Sequence, residues 1–199
     1  MRIITEKKEL NAIRLFTVFY TLFFTVVALW YGDYKFLFYT VYMIIVTWGI
    51  SHYYQRLHFG VPLVLLISVF GLLHLLGSTV YIYGVRLYDV GFFGGYIHYD
   101  NLVHTFGGAM AAVIGHNMLQ NHLDNTMKHH PLPFLFLLVT FASGLGAYNE
   151  IIEFGLVVFM GMGAQIGDYY NNALDLVCNF NGALAASVGI YLWNYHRSK

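Results

Sequence analysis

The sequence predicts an all-α integral membrane protein, a bundle of about six transmembrane helices with both termini in the cytoplasm. Of the 199 residues, 58% are hydrophobic and only 10% are charged, whereas a soluble domain carries about a quarter charged residues. The mean hydropathy is +0.60. The apolar residues also form runs of about 20, the length that a helix needs to cross a ~30 Å hydrocarbon core. A globule in water would lack the polar residues to cover its surface.

Six apolar runs are long enough to be membrane spans. They lie at about residues 12–31, 36–51, 61–83, 99–120, 132–160 and 168–193. Gly60 and Pro62 mark the start of the third run, and Pro131 and Pro133 mark the start of the fifth. The first run lacks a small-residue cleavage site, which indicates an uncleaved span rather than a signal peptide. We therefore expect one transmembrane domain over residues 1–199.

Lysine and arginine fall unevenly on the two sides of these spans. With a cytoplasmic N-terminus, eight of the ten lie on the cytoplasmic side and two, Lys35 and Arg86, lie on the other. Cytoplasmic loops carry the excess of positive charge in multi-pass proteins. This distribution predicts a protein of the cytoplasmic membrane with both termini cytoplasmic. The eight residues are Arg2, Lys7, Lys8, Arg14, Arg56, Lys128, Arg197 and Lys199.

The balance of charge also limits the classes of partner. The formal net charge is zero, so no nucleic-acid partner is expected, because such binding depends on basic surfaces. The expected partners are membrane lipids and, under one hypothesis below, other membrane-protein subunits. The single cysteine, Cys178, excludes an intrachain disulfide.

Acidic residues occur where a membrane span should be apolar. Asp100 and His104 are four residues apart at the start of the fourth span, so they share one helix face. Glu150 and Glu153 lie late in the fifth span. Because the fourth span runs inward and the fifth runs outward, both pairs are expected in the outer half of the membrane.

The sixth span carries a polar stripe at the same expected depth. Asp168, Asn172, Asp175 and Asn179 are spaced four, three and four residues apart, which places them along one face of a helix. His74 in the third span is expected slightly beyond mid-membrane and is a further candidate for this group. The carboxylates of three spans are thus predicted to converge in the outer leaflet.

Charged groups at mid-membrane each cost ~2.5–3.5 kcal/mol and therefore face the bundle interior with partners. The fourth, fifth and sixth predicted spans contain neither lysine nor arginine. Such an anionic pocket would take up protons, a metal ion or a cationic substrate. Mixed carboxylate and imidazole ligands favour Zn²⁺, Mn²⁺ or Fe over Mg²⁺ or Ca²⁺. The proposed metal ligands are Asp100, His104, Glu150, Glu153, Asp168 and Asp175, with Asn172, Asn179 and His74 as supporting polar groups.

Several motifs resemble those of the VanZ-like and YjdF-type families of polytopic bacterial and archaeal membrane proteins. The segment "YDNLVHTFGGAMAA" resembles their Asp-x-x-x-His element, "NEIIEF" their paired acids, and "GAQIGDYYNNALDLVCNFNGALAA" the YjdF-type Gly-Thr-Gln-Gly-Asp run with spaced acids. The resemblance covers about residues 95–190 and implies the same six acidic and histidine positions. Asn171 stands where the YjdF-type pattern has an aspartate. The family implies architecture and site residues, not a defined reaction.

Three function hypotheses remain open. The first is a metal-dependent enzyme that acts on a lipid or cell-envelope substrate, with Glu150 or Glu153 as the catalytic general base. The second is a proton- or cation-coupled transporter, in which the same carboxylates bind and release the ion. The third is a non-catalytic subunit of a larger membrane complex, in which the acids brace helices or hold a structural ion.

Overall fold

The structure is a computed structural model that describes residues 2–33, 36–57, 59–124, 127, 130–167 and 169–197. Its helices are α1 (Arg2–Trp30), α2 (Phe36–Tyr53), α3 (Val61–Thr79), α4 (Tyr99–Leu119), α5 (Pro131–Met160), the short α6 (Gly163–Ile166) and α7 (Tyr169–Arg197). Four two-residue strands lie between α3 and α4: β1 (Tyr81–Ile82), β2 (Val85–Arg86), β3 (Gly91–Phe92) and β4 (Ile97–His98).

Within those ranges, six helices have at least 18 residues. Five of them, all but α4, are long and apolar enough to cross a membrane. Helix α4 is of spanning length, but polar residues and glycines interrupt its apolar sequence. The predicted class, an all-α membrane bundle, is confirmed. The orientation of the termini and the single domain over residues 1–199 stay predictions.

The helices form two compact units, of which the first is Met1–Tyr99. Its core is apolar where α1 meets α2 and α3, and hydroxyl groups join the helices beside it. Thr17 and Ser68 are hydrogen-bonded at 2.7 Å, and Thr25 and Thr40 at 2.6 Å. The core cluster consists of Tyr20, Phe24, Ala28, Phe36, Met43 and Leu75.

Two β-hairpins follow α3 within this first unit. Strands β1 and β2 pair antiparallel through Tyr81↔Arg86, and β3 and β4 pair through Gly91↔His98. Helix α3 therefore ends at Thr79, four residues before the predicted end of the third span. The hydropathy of Tyr81 and Ile82 suits either a helix end or a strand, and the pairing with residues 85–86 decides for the strand.

The second unit is Asp100–Lys199 and contains α4 to α7. Helices α4 and α7 approach each other backbone to backbone at two glycines. A Cβ atom on Gly108 would collide with the carbonyl oxygen of Asn179, and one on Gly182 would collide with that of Thr105. Small residues of this kind allow close helix packing inside membranes. A cluster of buried alanines continues the contact toward α5, at Ala111, Ala112, Ala142 and Ala183.

Candidate metal centre

The first turns of α4 supply two adjacent polar side chains. Asp100 and His104 are one helical turn apart, and Oδ1 of Asp100 lies 3.4 Å from Nε2 of His104. His104 is 4% exposed, whereas the side chain of Asp100 is 18% exposed. The predicted pairing of these two residues on one helix face is therefore present, with the imidazole as its buried member.

Helix α7 brings a third side chain to the same imidazole nitrogen. Oδ2 of Asp175 lies 3.9 Å from Nε2 of His104, and Asp175 is fully buried at 0% exposure. The close contact of α4 with α7 at Gly108 and Gly182 allows this approach. One ligand atom from each of Asp100, His104 and Asp175 lies within 4.8 Å of the others. We call these three residues the triad.

Amide groups hold the triad carboxylates in place. Asn101 donates a hydrogen bond to Oδ1 of Asp175 at 3.0 Å, and Asn171 donates one to Oδ2 at 2.7 Å. Asn171 also lies 3.4 Å from Oδ2 of Asp100. Hydrogen-bond donors to a carboxylate fix its orientation and stabilise its negative charge.

The other nitrogen of the imidazole faces a different pair of groups. Nδ1 of His104 lies 3.1 Å from the amide nitrogen of Asn179 and 3.8 Å from Oε1 of Glu150. Glu150 is 8% exposed, and neither of its carboxylate oxygens has a hydrogen-bond partner among the described residues. A buried carboxylate without hydrogen bonds is costly, so such groups call for a functional explanation.

Glu153 has a different environment from Glu150. It is part-buried, and its Oε1 accepts a hydrogen bond from Asn149, one turn earlier on α5, at 2.8 Å. The two glutamates of the "NEIIE" segment thus differ in hydrogen bonding: Glu150 lies 3.8 Å from Nδ1 of His104, whereas Glu153 accepts a bond from Asn149. The charge of Glu153 also acts on His104.

The structure places the other predicted site residues differently. Asn179 faces His104 as stated, and Asn172 is part-buried beside Asn171. His74 belongs to the first unit, where its Nδ1 is hydrogen-bonded to the hydroxyl of Tyr88. Asp168 lies outside the described residues. That the full set of six binds one metal stays a prediction.

Two contributors were missed by the sequence analysis. Asn101 adjoins Asp100, and Asn171 lies four residues before Asp175, so helical spacing could have indicated the second. The predicted stripe used Asn172, whose spacing of three from Asp175 is equally helical. Sequence spacing does not choose between these neighbours, because the choice depends on which of them faces α4.

The arrangement combines anionic oxygen ligands and an imidazole without a basic side chain. Helices α4 and α5 contain no lysine or arginine, and α7 contains only Arg197 at its end. Acidic groups that are buried without a basic side chain nearby are compensated by hydrogen bonds, protons or a bound cation. Three protein ligands with a free coordination position are typical of catalytic rather than structural zinc sites.

Comparison with known families gives one match that covers most of the chain. The family described as "Predicted membrane protein (DUF2238)" matches residues 12–197. Comparisons with curated proteins and with solved structures give no significant match. The matched range includes all four helices of the second unit and every residue of the triad. The chain therefore belongs to the DUF2238 family of predicted membrane proteins.

Proposed function

We propose that this protein binds a divalent metal ion through Asp100, His104 and Asp175 inside the membrane, and that the site performs hydrolytic chemistry on a lipid or cell-envelope substrate. The observation that carries the proposal is the convergence of three ligand atoms within 4.8 Å. In a tetrahedral site with bonds of about 2.1 Å, neighbouring ligand atoms are about 3.4 Å apart. The separations of 3.4 and 3.9 Å at His104 are close to that value.

The ligand types favour some metals over others. An imidazole with two carboxylates suits Zn²⁺, Mn²⁺ or Fe, whereas Mg²⁺ and Ca²⁺ prefer oxygen ligands alone. We therefore propose one of the first three. When bound, such an ion would supply Lewis-acid chemistry that polarises an ester or phosphoryl oxygen.

The protein groups around the triad fit supporting roles. Asn101 and Asn171 would orient the carboxylate ligands, as outer hydrogen-bond donors do in metal sites. A metal-bound histidine keeps a proton on its other nitrogen, and rotation of the Asn179 amide would present its oxygen to Nδ1 of His104. Glu150, buried and without a hydrogen-bond partner among the described residues, is the proposed general base that accepts a proton from water. Glu153 would assist as a second acid.

The predicted location of the site belongs to the same proposal. The lysine and arginine distribution supports cytoplasmic termini and a site in the outer half of the cytoplasmic membrane. The likeness to VanZ-like and YjdF-type proteins over about residues 95–190 supports the architecture and the site positions, and the expected outward-facing site favours a lipid or cell-envelope substrate. Membrane lipids, and other membrane-protein subunits, are the proposed partners.

Elemental analysis of the purified full-length protein in lipid nanodiscs tests the metal. We expect about one equivalent of Zn, Mn or Fe in the wild type, and its loss in His104→Ala and Asp175→Asn. Asp89→Asn is the matched control, because Asp89 is an exposed acid paired with Arg86 in the first unit. Folded wild-type protein without metal, even after incubation with each ion, would refute the proposal.

Glu150→Gln separates metal binding from catalysis. This variant should keep its metal and lose hydrolysis of a lipid-dispersed p-nitrophenyl ester or phosphodiester by about 10²–10⁴-fold, the usual contribution of a general base. Equal hydrolysis by the two proteins would exclude Glu150 as the base.

A proton-coupled transporter is the second candidate, and the buried carboxylate of Glu150 beside His104 is the observation that favours it. In that case proteoliposomes with an internal pH-sensitive dye should take up protons, and Glu150→Gln should abolish the uptake. A metal-free protein with that behaviour would replace the enzyme proposal.

A further inference from the structure

The loops of the two hairpins after α3 differ in length but share one unusual feature, an aromatic residue with positive φ directly before a glycine. Tyr83 has φ 50° and is followed by Gly84 at φ 81°, and Phe93 has φ 51° and is followed by Gly94 at φ 76°. Tight hairpin turns with two positive φ values favour Asn-Gly or Asp-Gly. For a bulky side chain this conformation is unfavourable, because its Cβ crowds the backbone. Among the described residues, these two aromatics are the only non-glycine residues with positive φ.

Packing within the protein does not offset this strain. The side chain of Tyr83 is fully exposed, and Phe93 and the neighbouring Tyr96 are 81% and 83% exposed. Two separate turns thus hold an aromatic residue where it is locally unfavourable and where it covers no core. A compensating contact outside the chain would explain both.

The bases of the hairpins are fixed to the end of α3. At the first hairpin, Leu87 donates a backbone hydrogen bond to Val80 at 2.8 Å, and the Tyr88 hydroxyl is bonded to His74. At the second, Tyr99 directly after β4 donates its hydroxyl to the carbonyl of Leu73 at 3.2 Å. The Tyr88 ring also lies against Gly77, where a Cβ would collide with it. The tips therefore stand on a rigid base, which lowers the entropy cost of any contact they make.

Chain length limits how far the tips can lie from the membrane. Helix α3 is one of the apolar spans and ends at Thr79, and β1 begins two residues later. Tyr83 is four residues beyond Thr79, so even a fully extended chain places it at most about 14 Å from the end of the helix. The headgroup layer adds about 5–8 Å on each side of the hydrocarbon core. Tyr83 cannot lie far from this layer, where tyrosine and tryptophan are enriched.

We infer that Tyr83, Phe93 and Tyr96 are inserted into the headgroup layer of the bilayer at the end of α3, so that the paired hairpins anchor this unit to the lipid. The charges of the segment agree with a neutral contact, since Arg86 and Asp89 are paired with each other at 2.9 Å. The anchor should therefore work on phosphatidylcholine and need no anionic lipid. This inference is independent of the metal proposal.

Depth-dependent fluorescence quenching tests the insertion. The protein is placed in phosphatidylcholine nanodiscs with Tyr83→Trp in a background of Trp30→Phe, Trp48→Phe and Trp193→Phe, checked for folding by circular dichroism. We expect strong quenching by lipids brominated near the top of the acyl chain and weak quenching by aqueous iodide. Asp124→Trp, at an exposed position five residues beyond the end of α4, is the control for a residue farther from a helix end. The inference would be overturned if iodide, and not brominated lipid, quenched the tryptophan that Tyr83→Trp introduces.

A thermal comparison tests the energetic side. Tyr83→Asn with Phe93→Asn relieves the turn strain, so in lipid-free amphipol the apparent unfolding midpoint should rise by about 2–4 °C for a chain of this length. In nanodiscs this gain should vanish or reverse, because the variant loses its interfacial aromatics. Tyr83→Phe with Phe93→Tyr keeps both aromatics and should behave alike in the two environments. An equal rise of the unfolding midpoint of the Asn variant in amphipol and in nanodiscs would contradict the proposed anchor.

Discussion

The buried polar groups of the first unit are hydroxyls, several of them bonded to one another, whereas the second unit buries carboxylates, amides and an imidazole in addition to the hydroxyl of Ser187. Thr17 and Ser68 share a hydrogen bond at 2.7 Å, and Tyr20 donates to the carbonyl of Ser68 at 2.8 Å. In the second unit, Glu150 is equally buried and has no hydrogen-bond partner among the described residues. Neutral, mutually bonded hydroxyls stabilise helix contacts at small cost, while a buried carboxylate without hydrogen bonds lowers stability. The first pattern serves packing, and the second is what a binding or catalytic site requires.

The close approach of α4 and α7 should give the largest effect when it is broken. Gly182→Ala places a Cβ against the Thr105 backbone, which must shift, so we expect a loss at or above the upper end of the ~1–3 kcal/mol range for overpacking. The triad should separate as well, with loss of bound metal. Gly189→Ala on the same helix is the matched control, since nothing lies within 4 Å of its added Cβ. Thermal unfolding in nanodiscs and elemental analysis measure both effects, and similar behaviour of the two variants would show that the contact is not tight.

Removal of an amide beside Asp175 should give the next largest effect. Asn171→Ala removes the donors to Asp175 and Asp100, so metal affinity should fall by about 10–100-fold, as is usual for second-layer groups. Asn172→Ala, one residue later, should leave affinity nearly unchanged. Competition with a fluorescent chelator measures both dissociation constants. If Asn172→Ala lowered metal affinity more than Asn171→Ala, the polar stripe predicted from sequence would be correct and Asn171 would not belong to the site.

Removal of the Glu150 charge should stabilise the metal-free protein. A buried charged group without hydrogen bonds costs more than a neutral one, so Glu150→Gln should raise the unfolding free energy by about 1 kcal/mol. Glu153→Gln is the paired variant, and it should change stability less because Asn149 already bonds that carboxylate. Unfolding is followed after dialysis against chelator. Destabilisation by Glu150→Gln would mean that the contact of the carboxylate with Nδ1 of His104, at 3.8 Å, outweighs the cost of burying the charge.

Removal of a hydroxyl contact in the first unit should lower the unfolding free energy, by a small amount. Ser68→Ala removes one of the two hydrogen-bond partners of the Thr17 hydroxyl, which still donates to the carbonyl of Ile13. We expect a loss of about 1 kcal/mol. Bound metal and hydrolytic activity should stay at wild-type levels. The same unfolding assay and elemental analysis apply, and a change in metal content would show that the hydroxyl network has a role beyond packing.

Much of the second unit could be predicted because helical spacing is a local property. Asp100 and His104 share a face in any regular α-helix, and Asp175 and Asn179 share one on α7. The roles of Glu150 and Glu153 could not be separated, because both lie on neighbouring faces of α5 and only the helix opposite decides which is covered. The hairpins were missed for a related reason. Tyr-Gly and Phe-Gly are not the usual turn sequences, and the strands are only two residues long.

The sequence by itself determined the membrane class, the helix positions and the presence of acids without basic partners. Each of these follows from hydropathy and from the order of residues within one segment. Tertiary structure alone decided that Asp175 meets Nε2 of His104 while Glu150 faces Nδ1, and that Asn101 and Asn171 hold the carboxylates. Those contacts depend on how closely and in what rotation α4, α5 and α7 pack, and packing joins residues that are more than 40 positions apart in the chain.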